Sequence, residues 1–269
     1  MRSLTLLLLT SLLPLITAQG NLIPLPLTPT PPTKREIANL TFHTLSFDTP
    51  GPILRFESTL LIPPGSRPHD SPAGAVNAIW PGLQEGDLLQ NVLTNQKIAP
   101  GNKGGQWFHL PFFCCKKAGN ISEEVQVYPG DALTSLYVWD GSRNLWLDSW
   151  VLASAGGGLV GKGEKEGDGR KGFMGSLTYD SGIGGGNGTY THAILAIELQ
   201  ELGKWDWGAF TWRNVIVQAR TKETTWCTKF LSSDLKFHTS PPVATTDGEL
   251  TTCYIGTVVF EGPGEKGKG

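Results

Sequence analysis

From about residue 38 the chain repeatedly alternates apolar and polar side chains with a period of two, which rules out most folds at once. The clearest stretch is THAILAIELQ, residues 191–200. Ala193, Leu195, Ile197 and Leu199 form one apolar series, while His192, Ile194, Ala196, Glu198 and Gln200 form the other. Successive strand side chains point to opposite faces, so the first series belongs to a core and the other is turned away from it. The same pattern is found in ANLTFHTLSF, ILRFESTLLI, AVNAIW, DLLQNVLT, QWFHLPFFCC, EEVQVY, DALTSLYVWD, NLWLDSWVLAS, GFMGSLTYD, FTWRNVIVQAR and CYIGTVVFEG. Turn signals separate these runs at Pro81-Gly82, Pro129-Gly130, Asp140-Gly141 and Asp247-Gly248. No stretch carries a convincing 3.6-residue period. Many strands without helices between them predict an all-β chain folded as a two-sheet antiparallel sandwich, and exclude a parallel α/β fold.

Composition agrees with this. The 269 residues include 34 Gly and 19 Pro against only 17% charged residues, which suits a turn-rich β chain. A length of this order accommodates one large sandwich domain, expected over residues 37–262 with a flexible tail at 263–269. The formal net charge of −2 gives no electrostatic reason to expect nucleic acid or an anionic membrane as a partner.

The N-terminus predicts export. MRSLTLLLLTSLLPLITAQ places Arg2 before an apolar run and Ala18 before Gln19, the layout of a signal peptide over residues 1–18. The run is shorter than the about 20 apolar residues a bilayer span needs, and no further apolar span occurs in the chain. Residues 19–36, QGNLIPLPLTPTPPTKRE, are too rich in Pro to join a sheet. They contain Lys34-Arg35, which is either the processing site of a propeptide or two solvated charges. In a secreted chain Asn39, Asn120 and Asn187 are glycosylation acceptors in N-x-S/T sequons. Cys114, Cys115, Cys227 and Cys253 are disulfide candidates. Neighbours on a strand point to opposite faces, so a Cys114–Cys115 bond needs a strained turn. The expectation is that both pair with the later two cysteines. Structural zinc is disfavoured because the cysteines lack the usual two-residue ligand spacing.

Little in the sequence has the form of a catalytic motif. GGGLVG within residues 155–188 matches a dinucleotide fingerprint, but the adjoining KGEKEGDGRKG is no helix. The nearby GGGLVGKG lacks the hydroxyl of a phosphate loop. The reading is a surface loop with no cofactor. His43, His69, His109, His192 and His238 show no close metal-ligand spacing, so no metal site is assigned. Three features remain as candidates. In NLWLDSWVL, Asn144, Trp146, Asp148 and Trp150 share a face, and Trp80 and Trp107 lie on or beside other strands. An acid within a row of indoles suits a groove for a sugar or peptide; packing between the sheets is the other possibility. Gln90 is a polar amide inside an apolar strand, so it is either paired or faces a wet cleft. The third feature is the face carrying His192 and Glu198. Together these give a candidate groove of Trp80, Gln90, Trp107, Trp146, Asp148, Trp150, His192 and Glu198.

The order AIWPGL, DLLQNVL, QWFHLPFF, VQVYPGDAL, AILAIELQ and FTWRNVIV, over roughly residues 75–260, resembles the fungal glutamic peptidases, or eqolisins. That resemblance implies a secreted, acid-active sandwich of concanavalin A-like shape with a propeptide and a Gln/Glu catalytic dyad. It places Gln90 on the catalytic Gln, Trp80 on the Trp of the first motif, Ala193 on the Ala of the last motif and Glu198 on its second Glu. The catalytic Glu falls on Ile194. A general acid/base must exchange a proton, which an aliphatic side chain cannot do. No catalytic residue is firm, and Gln90, Glu198 and Asp148 remain candidates. Three functions are open: a non-catalytic relative binding an extracellular polypeptide or polysaccharide, an acid peptidase- or glycosidase-like hydrolase pairing Asp148 with Glu198, and a structural cell-wall or surface protein.

Overall fold

The computed structural model describes residues 39–65, 75–95, 106–114, 119–120, 124–155, 173–180, 189–233 and 235–263, with side chains left out at 114, 119–120 and 179–180. The expected signal peptide, the Pro-rich segment with Lys34-Arg35, His69, Cys115, Asn187, most of the Gly-rich stretch and residues 264–269 lie outside the described residues.

The chain is all-β and its strands, numbered along the sequence, form two antiparallel sheets packed as a sandwich. The first sheet has the spatial order β13 (Phe230–Ser233), β1 (Leu40–Asp48), β11 (His192–Gln200), β3 (Val76–Glu85), β4 (Asp87–Thr94), β5 (Trp107–Cys114) and β6 (Gly119–Asn120). Strand β7 (Val125–Val127) also pairs with β5. The second sheet runs β10 (Phe173–Asp180), β9 (Leu145–Ala153), β8 (Ala132–Asp140), β2 (Ile53–Leu61), β12 (Phe210–Arg220), β16 (Leu250–Phe260) and β14 (Phe237–Thr239). Here β15 (Val243–Asp247) pairs with β16, and a 3-10 turn spans Thr225–Thr228. This is the predicted two-sheet architecture, consistent with a jelly roll.

The alternation in residues 191–200 behaves as predicted. Ala193, Leu195 and Ile197 are completely buried between the sheets, and Leu199 packs against the same core. Ile194 and Ala196 face the other way, into a separate apolar cluster with Trp80, Leu88, Val92 and Leu110.

One turn assignment fails. Pro81-Gly82 lies inside β3, and the reversal comes at Gly86, whose φ of 76° suits a residue without a Cβ. Proline is tolerated inside the sheet because the β3–β4 ladder lapses there, between Ile79↔Leu93 and Gly82↔Gln90. Pro81 still contributes its carbonyl, which accepts a hydrogen bond from Tyr137 Oη of the opposite sheet at 2.9 Å. Pro111 occupies a similar gap in β5, between the residues paired with β7 and those paired with β6.

The cysteine expectation is corrected as well. Cys227 of the 3-10 turn bonds to Cys253 of β16, with Cα atoms 5.4 Å apart, so neither is available to Cys114 or Cys115. Alternation along a strand said how adjacent cysteines point, but nothing about which distant elements the fold brings together.

Candidate functional site

The sequence candidates fall on two different faces. Trp107, Trp146, Asp148 and Trp150 point into the interior of the sandwich and are at most 7% exposed. Trp80, Gln90, His192 and Glu198 sit on the opposite face of the first sheet. A groove lined by all of them is therefore not what the chain builds. The shared face of Trp146, Asp148 and Trp150 was read correctly from the period of two, but that face is core. Asp148 and Glu198 have the first sheet between them, so the two carboxyl groups cannot flank one scissile bond.

The outer face of the first sheet holds Trp80, Gln90, Ile194 and Glu198, whereas Ala193 points into the core. Gly82 of β3 is paired with Gln90 of β4 on one side and with Ile194 of β11 on the other. Two strand spacings put the Gln90 and Ile194 backbones about 10 Å apart with only a glycine between them. That gap is filled. A Cβ on Gly82 would meet Trp80 Cζ3 at 3.2 Å and Leu88 Cδ1 at 3.1 Å. The indole of Trp80 thus reaches Gly82 at one end, while its Nε1 donates to Glu198 Oε2 at 2.9 Å at the other. Gln200 Nε2 donates to Glu198 Oε1 at 2.6 Å. Both oxygens of Glu198 are engaged, and the indole lies between that carboxyl group and Gly82. Gln90 is 4% exposed and its Oε1 has no hydrogen-bond partner. The face therefore presents a buried amide, an isobutyl-like group and a tethered acid. Among the described residues it has no carboxyl group in line with Gln90.

The interior carries the ionisable groups with the largest shifts. Asp148 is completely buried, and desolvation pushes its pKa up to about 8 although Asn91 Nδ2 donates to its Oδ1 at 2.8 Å. His109 is 1% exposed and burial pushes its pKa down to about 3. Its ring lies 5.6 Å from that of Trp150 and 5.9 Å from that of Phe173. Groups with such shifts often mark active sites. Here they are sealed in the core, and the Asn91–Asp148 bond ties the two sheets together.

Two surface pockets escaped the sequence reading. One, of about 370 Å³, is lined in part by Asp48, Glu223, Trp226 and Lys229. His192, a groove candidate, is held nearby with Nδ1 2.6 Å from Asp48 Oδ1. The other, of about 400 Å³, is lined in part by His43, Lys204, Trp205 and Lys236. The W-x-W of KWDWG was a visible signal for this larger pocket, but alternation does not extend into that connection. No group of three or more His, Cys, Asp or Glu suited to a metal ion occurs among the described residues. Among the sequons, Asn39 is exposed immediately before β1, and the side chains of Asn120 and Asn187 lie outside the described residues.

No family model and no curated protein matches the chain. Among solved structures it is similar to scytalido-glutamic peptidase with a peptide-based transition-state analogue, at TM-score 0.46 and 9% identity over 80% of this chain and 97% of that one. The same peptidase with a transition-state analogue inhibitor gives TM-score 0.46 and 10% identity over the same shares. SCP-B, an eqolisin in complex with the tripeptide Ala-Ile-His, gives TM-score 0.43 and 10% identity, again over 80% and 97%.

Proposed function

We propose that this chain is a secreted, non-catalytic β-sandwich of the glutamic-peptidase kind that binds an extracellular peptide or glycan. The observation that carries the reading is the row Gln90–Gly82–Ile194, in which the two positions aligned with a Gln/Glu dyad flank one glycine and the acid is absent. Hydrolysis at an amide needs a group that takes and returns a proton beside the one that stabilises the oxyanion. Ile194 offers none, and Glu198 stands four residues, or about 13 Å, further along the strand. Export is supported by the N-terminal pattern and fits the Cys227–Cys253 bond.

The test incubates the purified protein with a denatured protein substrate between pH 2 and 6, in parallel with a panel of cell-wall glycans and peptides for binding. No cleavage and retained binding are expected. Cleavage that disappears in Gln90→Ala would make the chain an active peptidase. Cleavage lost only in Glu198→Ala would show that the acid has moved along the strand.

A further inference from the structure

The connection from β11 to β12 carries the chain from the first sheet to the other, and the larger surface pocket opens beside it. His43 and Leu199 come from the core-facing series of β1 and β11, Lys204 and Trp205 from the connection, and Lys236 from the segment leading into β14. We infer that this pocket is a binding site for an acidic saccharide, a uronate-bearing oligosaccharide whose ring stacks on Trp205 and whose carboxylates meet Lys204 and Lys236.

Trp205 is a fixed platform. Its Nε1 donates to Gly208 O at 2.8 Å, so its N–H is already engaged and the half-buried ring is held in place in the pocket wall. Its ring lies 5.7 Å from His43, 6.3 Å from Trp207 and 6.0 Å from Phe210. The connection is tightly seated beside it, since a Cβ on Gly203 would fall 2.4 Å from Val76 O. An aromatic face held this way can stack on the C–H surface of a pyranose without first being ordered.

The charge is one-sided. Lys204 and Lys236 line the pocket, are exposed, and have no ion-pair partner among the described residues. Among the described residues no Asp or Glu lines it. Glu261, whose N–H pairs with the Lys236 carbonyl, directs its carboxylate to His238 at 3.3 Å. His43 Nδ1 is buried without a partner in the same wall. Two unpaired ammonium groups beside one aromatic ring favour a ligand that carries a carboxylate on each of successive rings with an apolar C–H face. The volume, about 400 Å³, falls within the range of small-ligand sites.

A saccharide fits better than an extended peptide. Strand β11 is paired on both sides, with β1 and β3, and β13 covers Thr44–Phe47 of β1, which leaves only the short Leu40–His43 end of β1 for a peptide to extend.

This site lies apart from the Gln90–Gly82–Ile194 row. It specifies a ligand for the proposed binding protein, yet a proteolysis assay and the titration below fail independently. The probe is trigalacturonate, titrated calorimetrically into the full chain, with its methyl ester and a Glu-rich hexapeptide as comparisons. We expect saturable binding of the trimer that weakens toward about 0.5 M salt, where screening shortens to a few Å. Lys204→Gln/Lys236→Gln should lose about tenfold or more in affinity through the missing charge-assisted contacts. Both substituted positions are exposed, so the variant should keep the wild-type melting temperature. Trp205→Leu should weaken the trimer and its ester alike. The inference is overturned if the trimer does not bind, if the ester binds equally, if the double Lys variant is unaffected, or if the acidic peptide binds as tightly.

Discussion

Gln90 and Ile194 face the same glycine from opposite sides, and the Trp80 indole lies against that glycine. An aliphatic side chain at 194 and a filled gap over Gly82 go together physically. An ionised carboxyl group next to this apolar cluster would need water or a donor, whereas isoleucine lets Trp80, Leu88 and Val92 close over it.

Ile194→Glu should therefore not create a peptidase. Ile194 is 6% exposed, and a carboxyl group there is desolvated against Trp80, with the single hydroxyl of Ser46 across the β1–β11 pair in place of water. We expect a loss of about 2 kcal/mol or more, enough to lower the melting temperature by about 5 °C in a domain of this size. Acid proteolysis should stay at background, because a dyad works only when its supporting contacts hold it in productive geometry. A thermal melt and a cleavage assay on one preparation decide both points. An active variant with unchanged melting would refute this account of the gap.

Gln90→Leu should go the other way. The wild-type amide is 4% exposed and its Oε1 has no partner, so folding strips a polar atom of water without replacing the hydrogen bond. An apolar side chain of similar volume should raise stability by about 1 kcal/mol, read as a higher urea midpoint at unchanged slope. A lower midpoint would mean that the amide is satisfied in solution.

The Cys227–Cys253 bond should resist reduction in the native state. Both cysteines are at most 1% exposed, so a thiol reagent reaches them only after local opening. The bond spans a sequence separation of 26, and loops of this size are worth about 3 kcal/mol through restriction of the unfolded chain. Replacing both cysteines with Ala should cost that much, and thiol labelling of the intact oxidised protein should find no reactive sulfur at either position. Rapid labelling without denaturant would contradict this.

Much of the fold was legible because strand side chains have a short, strict period. Residues 191–200 gave both their strand and its buried face. What the pattern could not supply was which sheet each face would meet. Trp146, Asp148 and Trp150 were placed together correctly, but a face carrying an acid suggested a groove, whereas Asn91 donates to Asp148 across the core. The short strands β13, β14 and β15 were not anticipated. β13 and β15 are largely exposed and β14 only part-buried, so they lack the apolar series that reveals a buried strand. The pocket at Trp205 was missed because its residues come from separate strands and connections, which only the folded chain brings together.

The buried pair Asp148 and His109 should give the protein an acid-favoured stability profile. The folded pKa of Asp148, about 8, lies above its ordinary value of 3.8, so the folded state keeps a proton that the unfolded chain has released between those values. Its contribution is therefore complete at low pH and is lost as the pH rises toward 8. His109 acts in the opposite sense. Its folded pKa of about 3 lies below 6.5, so the unfolded chain binds a proton that the folded state refuses, and stability falls as the pH drops from 6.5 toward 3. Between about pH 4 and 6.5 the two slopes oppose and the profile should be nearly flat. Above 6.5 only Asp148 acts, and one proton at about 1.4 kcal/mol per pH unit removes about 2 kcal/mol by pH 8. Asp140, pulled down to about 2 by Ser142 and then Arg143, titrates below this window, and Tyr190, pushed up to about 12 by burial and then by Asp87, titrates above it. Urea midpoints at pH 5, 6.5 and 8 should show a plateau followed by a decline. Asp148→Asn keeps an acceptor for Asn91 but cannot ionise, so its decline above pH 6.5 should vanish, and a fall toward acid from His109 should appear in its place. A wild-type midpoint that stays level from pH 6.5 to 8, or an Asp148→Asn variant with the same decline, would show that Asp148 is not the group that titrates.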